Sequence, residues 1–366
     1  MPLWPASWPS HTPPAIPQPA NPTAVSPFTI PLLYPFQAGD ERPCLSQSAW
    51  KIISGLGDIW HTPRRQVGLQ FAPMSALDPQ DVQLFAVTAV GPVPLPVPPT
   101  ARSFDDLYAG LALGVYSALR TFQHNQFLYL DAHIDRTKRS MSLLGWDYRL
   151  DEAALRRALQ QVCTAYHRPE ARVRFDVLAE PAQALGTDSR VLVALMPFTP
   201  PTPQMVADGV AVGLATDLAR QRPLAKTADF AVARRRYPAG PGADVYEYVL
   251  LDAQGYLLEG TGTNFYGVRQ GVVYTAGQGV LEGITRQIVL DLLPQLGIPL
   301  RLEAVHRDTI GLLDEAFISG SSRAILPVVA IDGQPIGNGR PGPIGRRLLI
   351  AYNEFVAKTI RPAISE

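Results

Sequence analysis

The chain has 366 residues, enough for two domains and a sizeable core. Its 32 basic and 32 acidic residues cancel, so the basic excess of a nucleic-acid-binding protein is missing. Cys44 and Cys163 lie far apart without metal or redox spacing, no apolar run reaches the ~20 residues of a membrane span, and the N-terminus shows no signal-peptide pattern. The expectation is a cytoplasmic protein with no metal, membrane or nucleic-acid partner.

In chain order, residues 1–43 are proline-rich without periodicity, and 1–80 read as a disordered or extended addition in which Met74 stands where a compact domain could begin. Structure becomes legible at Gln83, where QLFAVTAV predicts a strand and VPLPVPP an edge or loop. Leu107, Leu111, Val115 and Leu119 predict a helix over Phe104–Thr121. Further helices are expected at Asp131–Leu144, capped by Asp131, and at Glu152–Tyr166, with strands at Arg172–Leu178 and Val191–Met196. Residues 81–196 thus predict a small α/β domain, and the proline-rich stretch 197–205 an interdomain linker.

Residues 206–366 predict a larger mixed domain with mainly antiparallel connections. Its strands fall at Val210–Thr216, Tyr246–Leu251, Leu257–Glu259, Phe265–Arg269, Val272–Thr275, Ala316–Ser319 and Val328–Ile331. Its helices fall at Thr285–Leu296 and Arg346–Val356. The fold class is therefore α+β or α/β.

Few residues stand out chemically. Lysine is scarce, and Lys226, in LAKTADF, has Arg220, Arg222 and Arg234–Arg236 nearby in sequence. Burial and neighbouring cations lower a lysine's pKa and free its amine to form an imine; alone, a solvated loop lysine fits better. Glu259 ends a strand before Gly-Thr-Gly-Thr, where a carboxylate can hold a pyridine N–H or merely stabilise a turn. Gly283-Ile284-Thr285-Arg286 opens a helix that Thr285 can cap, and such a terminus can take a phosphate, although a plain cap is commoner. The turn Ser319–Ser322 offers hydroxyls and amides for an anion. Arg136 or Arg139, on the second helix behind His133, could grip a phosphate or face solvent.

In combination and order, these segments resemble the class IV, fold-type IV aminotransferases: branched-chain aminotransferase, D-amino-acid aminotransferase and aminodeoxychorismate lyase. The likeness lies in GVYSALRT, HIDRTKRSMSLLGW, KTADF, EGTGTNFYGV, VLEGITRQIVLDLL and SGSSRAILPV, across about residues 83–360. It implies a two-domain enzyme that uses pyridoxal 5'-phosphate and works as a homodimer. Lys226 would be the Schiff-base lysine and proton shuttle, and Glu259 the contact to the pyridine nitrogen. Arg136, Ile284, Thr285 and Ser321 would hold the phosphate, and Asn264 would support the turn beside the ring. Tyr116 and Arg120 would face the substrate pocket, with Arg174 and the amides of Ser321 and Ser322 on its carboxylate.

The chain departs from the family in three places. Branched-chain members carry a tyrosine five residues after the lysine; here that position is Ala231, which leaves Tyr237 or a water to tune the amine. Arg172 replaces an expected tyrosine, and FDDLYAGLALG lacks the usual aspartate-and-glycine lead-in. With no extra acid-binding constellation evident in the sequence, the expectation is a ping-pong transfer from an aliphatic, L-branched-chain amino acid to 2-oxoglutarate. The other readings are aminodeoxychorismate lyase, a D-amino-acid or (R)-amine transaminase, and a non-catalytic dimeric ligand-binding relative.

Overall fold

Short runs of β-branched and aromatic residues, broken by glycine and proline, form two sheets here, because each run can bury at least one face. The computed structural model describes residues 78, 80–240 and 243–364. All belong to one compact unit, Gln70–Glu366. The expected extension at 1–80, with Cys44 and Met74, lies outside the described residues apart from Asp78 and Gln80.

The first sheet is wholly antiparallel. It contains β1 (Gln83–Thr88), β2 (Gly91–Pro94), β3 (Val115–Phe122), β4 (Gln126–Phe127), β5 (Ala171–Val177) and β6 (Val191–Pro197). A one-turn helix, α1 (Phe104–Leu107), precedes β3. Two longer helices, α2 (Leu130–Leu143) and α3 (Glu152–Ala165), bury Ile134, Leu155, Leu159 and Val162 against Val173 and Phe175 of β5.

The expected helix over Phe104–Thr121 is not formed. Leu107 lies in α1 and Leu119 in β3, and Gly110 at φ +79° with Leu111 lies between them in neither. Gly114 sits so close to β5 that a Cβ there would lie 2.0 Å from the Val177 carbonyl oxygen. From Val115 to Arg120 the chain pairs residue for residue with Val177 to Arg172, so tertiary pairing overrides a helical spacing. Asp131 does not cap α2: the helix begins at Leu130 after Tyr129, whose φ of +51° turns the chain in, and Asp131 pairs with Arg156 instead.

The connection to the second sheet starts with the stretch read as a linker. Its second half, Pro203–Met205, is the first turn of α4 (Pro203–Asp208), where Thr202 Oγ1 accepts from Met205 N at 3.2 Å and proline fits the first helical position. We propose the domain boundary within 197–205.

The second sheet holds β7 (Val210–Ala215), β8 (Glu247–Leu251), β9 (Tyr256–Gly260), β10 (Asn264–Arg269), β11 (Val272–Tyr274), β12 (Leu300–Arg301), β13 (Val305–His306), β14 (Glu315–Gly320), β15 (Ala324–Ile331) and β16 (Gln334–Pro335). Pairs β7–β8, β7–β15 and β11–β12 are parallel and the rest antiparallel. The strands run β10–β14–β15–β7–β8–β9, and a pairing of Asn264 with Glu259 joins β9 back to β10, closing a ring. Val212, Val249, Phe265, Ile318 and Leu326 belong to one buried cluster of this ring. Helices α6 (Ile284–Gln295) and α7 (Pro343–Thr359) pack against Tyr266 and Phe317, which face each other across β10 and β14 with ring centres 4.6 Å apart. A short helix, α5 (Ala228–Ala233), follows Lys226. The last strand, β17 (Arg361–Pro362), returns to the first sheet beside β4, so a seven-stranded order β17–β4–β3–β5–β6–β1–β2 results.

Candidate active site

Lys226 is held from three sides by its backbone. Its carbonyl accepts from Tyr116 N at 3.1 Å, its N–H donates to Ser140 Oγ at 3.1 Å, and the neighbouring Thr227 bridges to Val115. Strand β3 and helix α2 of the first sheet thereby fix a loop that leads into α5. Lys226 Nζ lies 4.7 Å from the centre of the Tyr116 ring, and Arg174 Cζ lies 4.1 Å from the same ring. Burial, joined by the charges of Arg136, Arg220 and Arg234, lowers the Lys226 pKa to about 8, with Tyr116 opposing. Burial alone would raise the Tyr116 phenol, but Lys226, Arg234, Arg174 and Arg220 outweigh it and bring it to about 7.

Glu259 sits where the ring of strands closes. Arg220 Nε donates to its Oε1 at 2.9 Å, and Leu281 N and Asn264 Nδ2 donate to Oε2 at 3.1 and 3.4 Å. Asn264 Nδ2 also reaches Leu281 O at 3.0 Å, so the asparagine ties the strand to the approach of α6. Burial pushes the Glu259 carboxyl up, and the Arg220 guanidinium and the Leu281 N–H oppose that. Arg220 itself stacks 3.8 Å from the Phe230 ring centre.

Helix α6 begins at Ile284 with Gly283 at the cap, not Thr285. A Cβ on residue 283 would lie 2.2 Å from Asn264 Oδ1, so no larger cap residue fits there. The first amides of α6 lack partners within the helix, as at every helix start, and carry its positive end. Arg136 approaches the same place from α2. Its Nη1 donates to Glu282 O at 3.4 Å and its Nη2 to Ser117 Oγ at 2.9 Å, while its buried Nε has no hydrogen-bond partner. Ser117 Oγ in turn contacts His133 Nδ1 at 2.9 Å. Ser319 belongs to β14, not to the turn, and shares its hydroxyl with Tyr266 at 3.0 Å. Ser321 and Ser322 form the turn itself.

One cavity of about 220 Å³ gathers Tyr116, Arg136, Arg174, Lys226, Glu259, Asn264, Ile284, Thr285, Ser321 and Ser322. Of the residues expected in the site, Arg120 is not in this wall. It follows Tyr116 and Ala118 on the same strand face, but Glu170 takes its Nη2 at 2.5 Å and its Cζ lies 3.7 Å from the Phe198 ring centre. Arg174 lines the cavity with its charge matched by two aspartates: Nε and Nη2 go to Asp176, the latter at 2.7 Å, and Nη1 goes to Asp105 at 2.8 Å. Tyr237 is not in the wall either; its hydroxyl binds Asp217 and its ring lies against Tyr248.

The sequence reading missed the roles of Asp105, Arg220, Arg234 and Arg323, all of which line the cavity. The signal for Arg220 and Arg234 was the arginine-rich flanks of Lys226. Asp105 and Arg323 had none, because only the fold brings α1 and the β14–β15 turn to the same place. Among the described residues, no group of three or more His, Cys, Asp and Glu is placed to hold a metal ion, and no helix is long and apolar enough to cross a membrane.

The donor set fits pyridoxal phosphate: a depressed amine, a buried carboxylate and, for the phosphate, a helix start with an unsatisfied guanidinium nitrogen share one small cavity. The amino-transferase class IV model matches residues 114–331. The chain is 29% identical to a D-alanine aminotransferase of Bacillus licheniformis over 256 residues, which is 68% of this chain and 89% of that protein. It is 38% identical to a branched-chain-amino-acid aminotransferase of Pseudomonas aeruginosa over 117 residues, 32% of this chain and 38% of that one. Among solved structures, the T.th. branched-chain amino acid aminotransferase with pyridoxamine 5'-phosphate is similar at a TM-score of 0.62 and 24% identity, covering 77% of this chain and 98% of that one.

Proposed function

The chain belongs to the class IV aminotransferases, and from that premise we propose that it moves an amino group from an amino acid to 2-oxoglutarate in a ping-pong cycle at Lys226. It is a pyridoxal-phosphate-dependent transaminase. What carries the residue assignment is that Lys226, Glu259, Arg136 and the start of α6 line one cavity.

When bound, pyridoxal phosphate supplies an aldehyde to take the amino group and a ring that draws electrons from the α-carbon. Lys226 Nζ, with a pKa lowered to about 8, is uncharged in a useful fraction close to neutrality. It would hold the aldehyde and take the α-proton as general base. Glu259 would face the ring nitrogen, and Arg220, donating to Oε1 at 2.9 Å, opposes the upward push that burial gives its carboxyl. Arg136 and the amides of Ile284 and Thr285, with Ser321, would hold the phosphate. The amides of Ser321 and Ser322 would orient the α-carboxylate. Asn264 keeps Glu259 in register with α6.

The working form in this reading is a homodimer in the cytoplasm. Leu113 and Val232, both exposed, line a second cavity that shares Asp105 and Arg174 with the first, which supports cover by another copy. The buried free thiol of Cys163 accords with a reducing compartment.

The test is borohydride reduction of the holoenzyme followed by peptide mapping. The label is expected on Lys226, and Lys226→Ala is expected to abolish turnover with the fold intact. Label on another lysine, or turnover by the alanine variant, would overturn the assignment.

A further inference from the structure

Among the described residues, seven cationic side chains line the cavity against two carboxylates, Asp105 and Glu259. Four of the cations have duties already. Lys226 and Arg136 serve the cofactor, Arg220 pairs with Glu259, and Arg174 is enclosed by Asp176 and Asp105. Arg172, Arg234 and Arg323 remain.

These three are close together and poorly compensated. A Cβ built on Gly262 would lie 3.0 Å from Arg234 Nη1 and 3.5 Å from both Arg323 Nη1 and Glu247 Oε2, so two guanidiniums and one carboxylate flank one bare stretch of backbone. Arg234 Nη1 donates at 3.0 Å to the neutral carbonyl of Thr261, which leaves its charge unmatched. Arg323 Nη2 is 3.9 Å from Glu247 Oε2, and its buried Nε has no partner. Glu247 accepts from the neutral donors Thr261 Oγ1 at 2.6 Å, Gly262 N at 3.2 Å and Thr263 Oγ1 at 3.3 Å, and so brings one negative charge against these three cations. Arg172 feels both neighbours: burial, then the charges of Arg323 and Arg234, lower its pKa. Like charges gathered in a small cavity are costly until an anion joins them.

We propose that the cavity is built for amino acids and 2-oxo acids that carry a second carboxylate, and that Arg172, Arg234 and Arg323 receive it. This rests on the transaminase reading and narrows its substrate class. The phosphate has its own cradle at Arg136 and α6, and the α-carboxylate has the amides of Ser321 and Ser322. Glu247 and a Tyr116 phenolate answer part of the remaining charge, and a further anion would answer the rest. A branched alkyl group would instead press on unpaired guanidiniums, with little apolar wall beyond Phe104, Tyr116 and Ala118 to compensate. The aliphatic donor expected from the sequence assumed that no extra acid-binding constellation exists, and these arginines are one. Arg174, expected on the substrate carboxylate, lines the cavity with its charge already matched by Asp176 and Asp105.

The experiment uses the purified holoenzyme and follows the cofactor's absorbance in the first half-reaction. Glutamate and leucine are compared, each as both enantiomers. The better glutamate enantiomer should exceed the better leucine enantiomer in kcat/KM by about a hundredfold, as expected of a site whose buried polar groups need a partner. In Arg172→Gln and Arg234→Gln the glutamate-to-leucine ratio should fall by about tenfold or more, mainly through KM. In parallel, calorimetry should find glutarate binding and pentanoate not binding. Leucine matching glutamate, a ratio unchanged by the glutamine variants, or pentanoate binding as tightly as glutarate would each overturn the proposal. If no amino acid changes the cofactor spectrum, the transaminase reading fails, and the glutarate-to-pentanoate comparison still decides what the arginines bind.

Discussion

Lys226 Nζ and the Tyr116 ring lie 4.7 Å apart in the cavity, and each shifts the other's proton affinity. Tyr116, once ionised, favours the ammonium form of Lys226; Lys226 favours the phenolate. Cofactor uptake by the apoenzyme needs the neutral amine, so its rate should rise with pH through about 8. Tyr116→Phe removes the supporting negative charge. The midpoint should then move to lower pH, by roughly half a unit or more. Stopped-flow uptake across pH measures this, and a midpoint that stays put or rises would end the idea.

The same pair makes the apoprotein's stability depend on pH. The folded Tyr116 loses its proton at about 7 and Lys226 at about 8, whereas their ordinary values are 10.0 and 10.5. Between about pH 7 and 10 the unfolded chain therefore binds more protons than the folded one, and stability rises with pH over that window. Urea midpoints of the apoprotein should show a steeper rise than those of the double variant Lys226→Met, Tyr116→Phe. Parallel slopes would mean that neither group is perturbed as described.

Arg220 and Glu259 form a pair whose side chains are 5% and 2% exposed. Breaking a buried pair from one side leaves a bare charge and costs roughly 3–5 kcal/mol. Arg220→Met should be destabilised by about that amount and should bind cofactor weakly. Adding Glu259→Gln removes the stranded charge, so the double variant should regain most of the stability and none of the turnover. A double variant as unstable as Arg220→Met would show that the loss came from the stack on Phe230 instead.

Arg136 is aimed by a relay. It donates to Ser117 Oγ, which also shares a hydrogen bond with His133 Nδ1, and burial with the charges of Arg136 and Lys226 keeps the His133 pKa well below its usual value. Ser117→Ala should loosen the guanidinium and weaken pyridoxal phosphate binding by about five- to tenfold, close to one hydrogen bond. Phosphate-free pyridoxal should bind both proteins alike. Arg136→Lys should not rescue the arginine's role, because a single ammonium cannot reproduce the fork. Equal losses for pyridoxal and its phosphate would place the effect on the fold and not on the phosphate.

The parts of the site that share short sequence segments were legible, and the parts that need distant partners were not. Lys226, Glu259, Asn264, Ile284 and Thr285 each sit beside a turn or helix start that announces itself in a few residues. The strands from Val210 onward were legible for the same reason, since each apolar run has its own turn. The helix expected over Phe104–Thr121 shows the limit: Leu107 and Leu111 keep helical spacing across Gly110, and the pairing that makes β3 comes from residues 171–177. Arg174 is the same lesson in chemistry. Asp176, two residues along the strand, is a local partner, but its second aspartate, in α1, lies 69 positions away and only the fold brings it near.

Ala231 stands where the family resemblance implies a tyrosine, and it shares a buried cluster with Tyr116. Its side chain is fully buried in one cluster with Tyr116 and Ala228, so a ring at 231 would have to find room beside the ring at 116. Ala231→Tyr alone should overpack this spot and destabilise by about 1–3 kcal/mol. Tyr116→Ala alone should leave a void and cost about 3–5 kcal/mol. If the two side chains compete for one volume, combining them should cost much less than the sum, since residues in contact are not additive. The combination also tests whether a phenol from either position serves Lys226. Tyr116→Ala should lower the pH midpoint for cofactor uptake, and adding Ala231→Tyr should bring it back. Additive losses with no return of the midpoint would show that the residues do not exchange places, and that the small side chain at 231 has another cause.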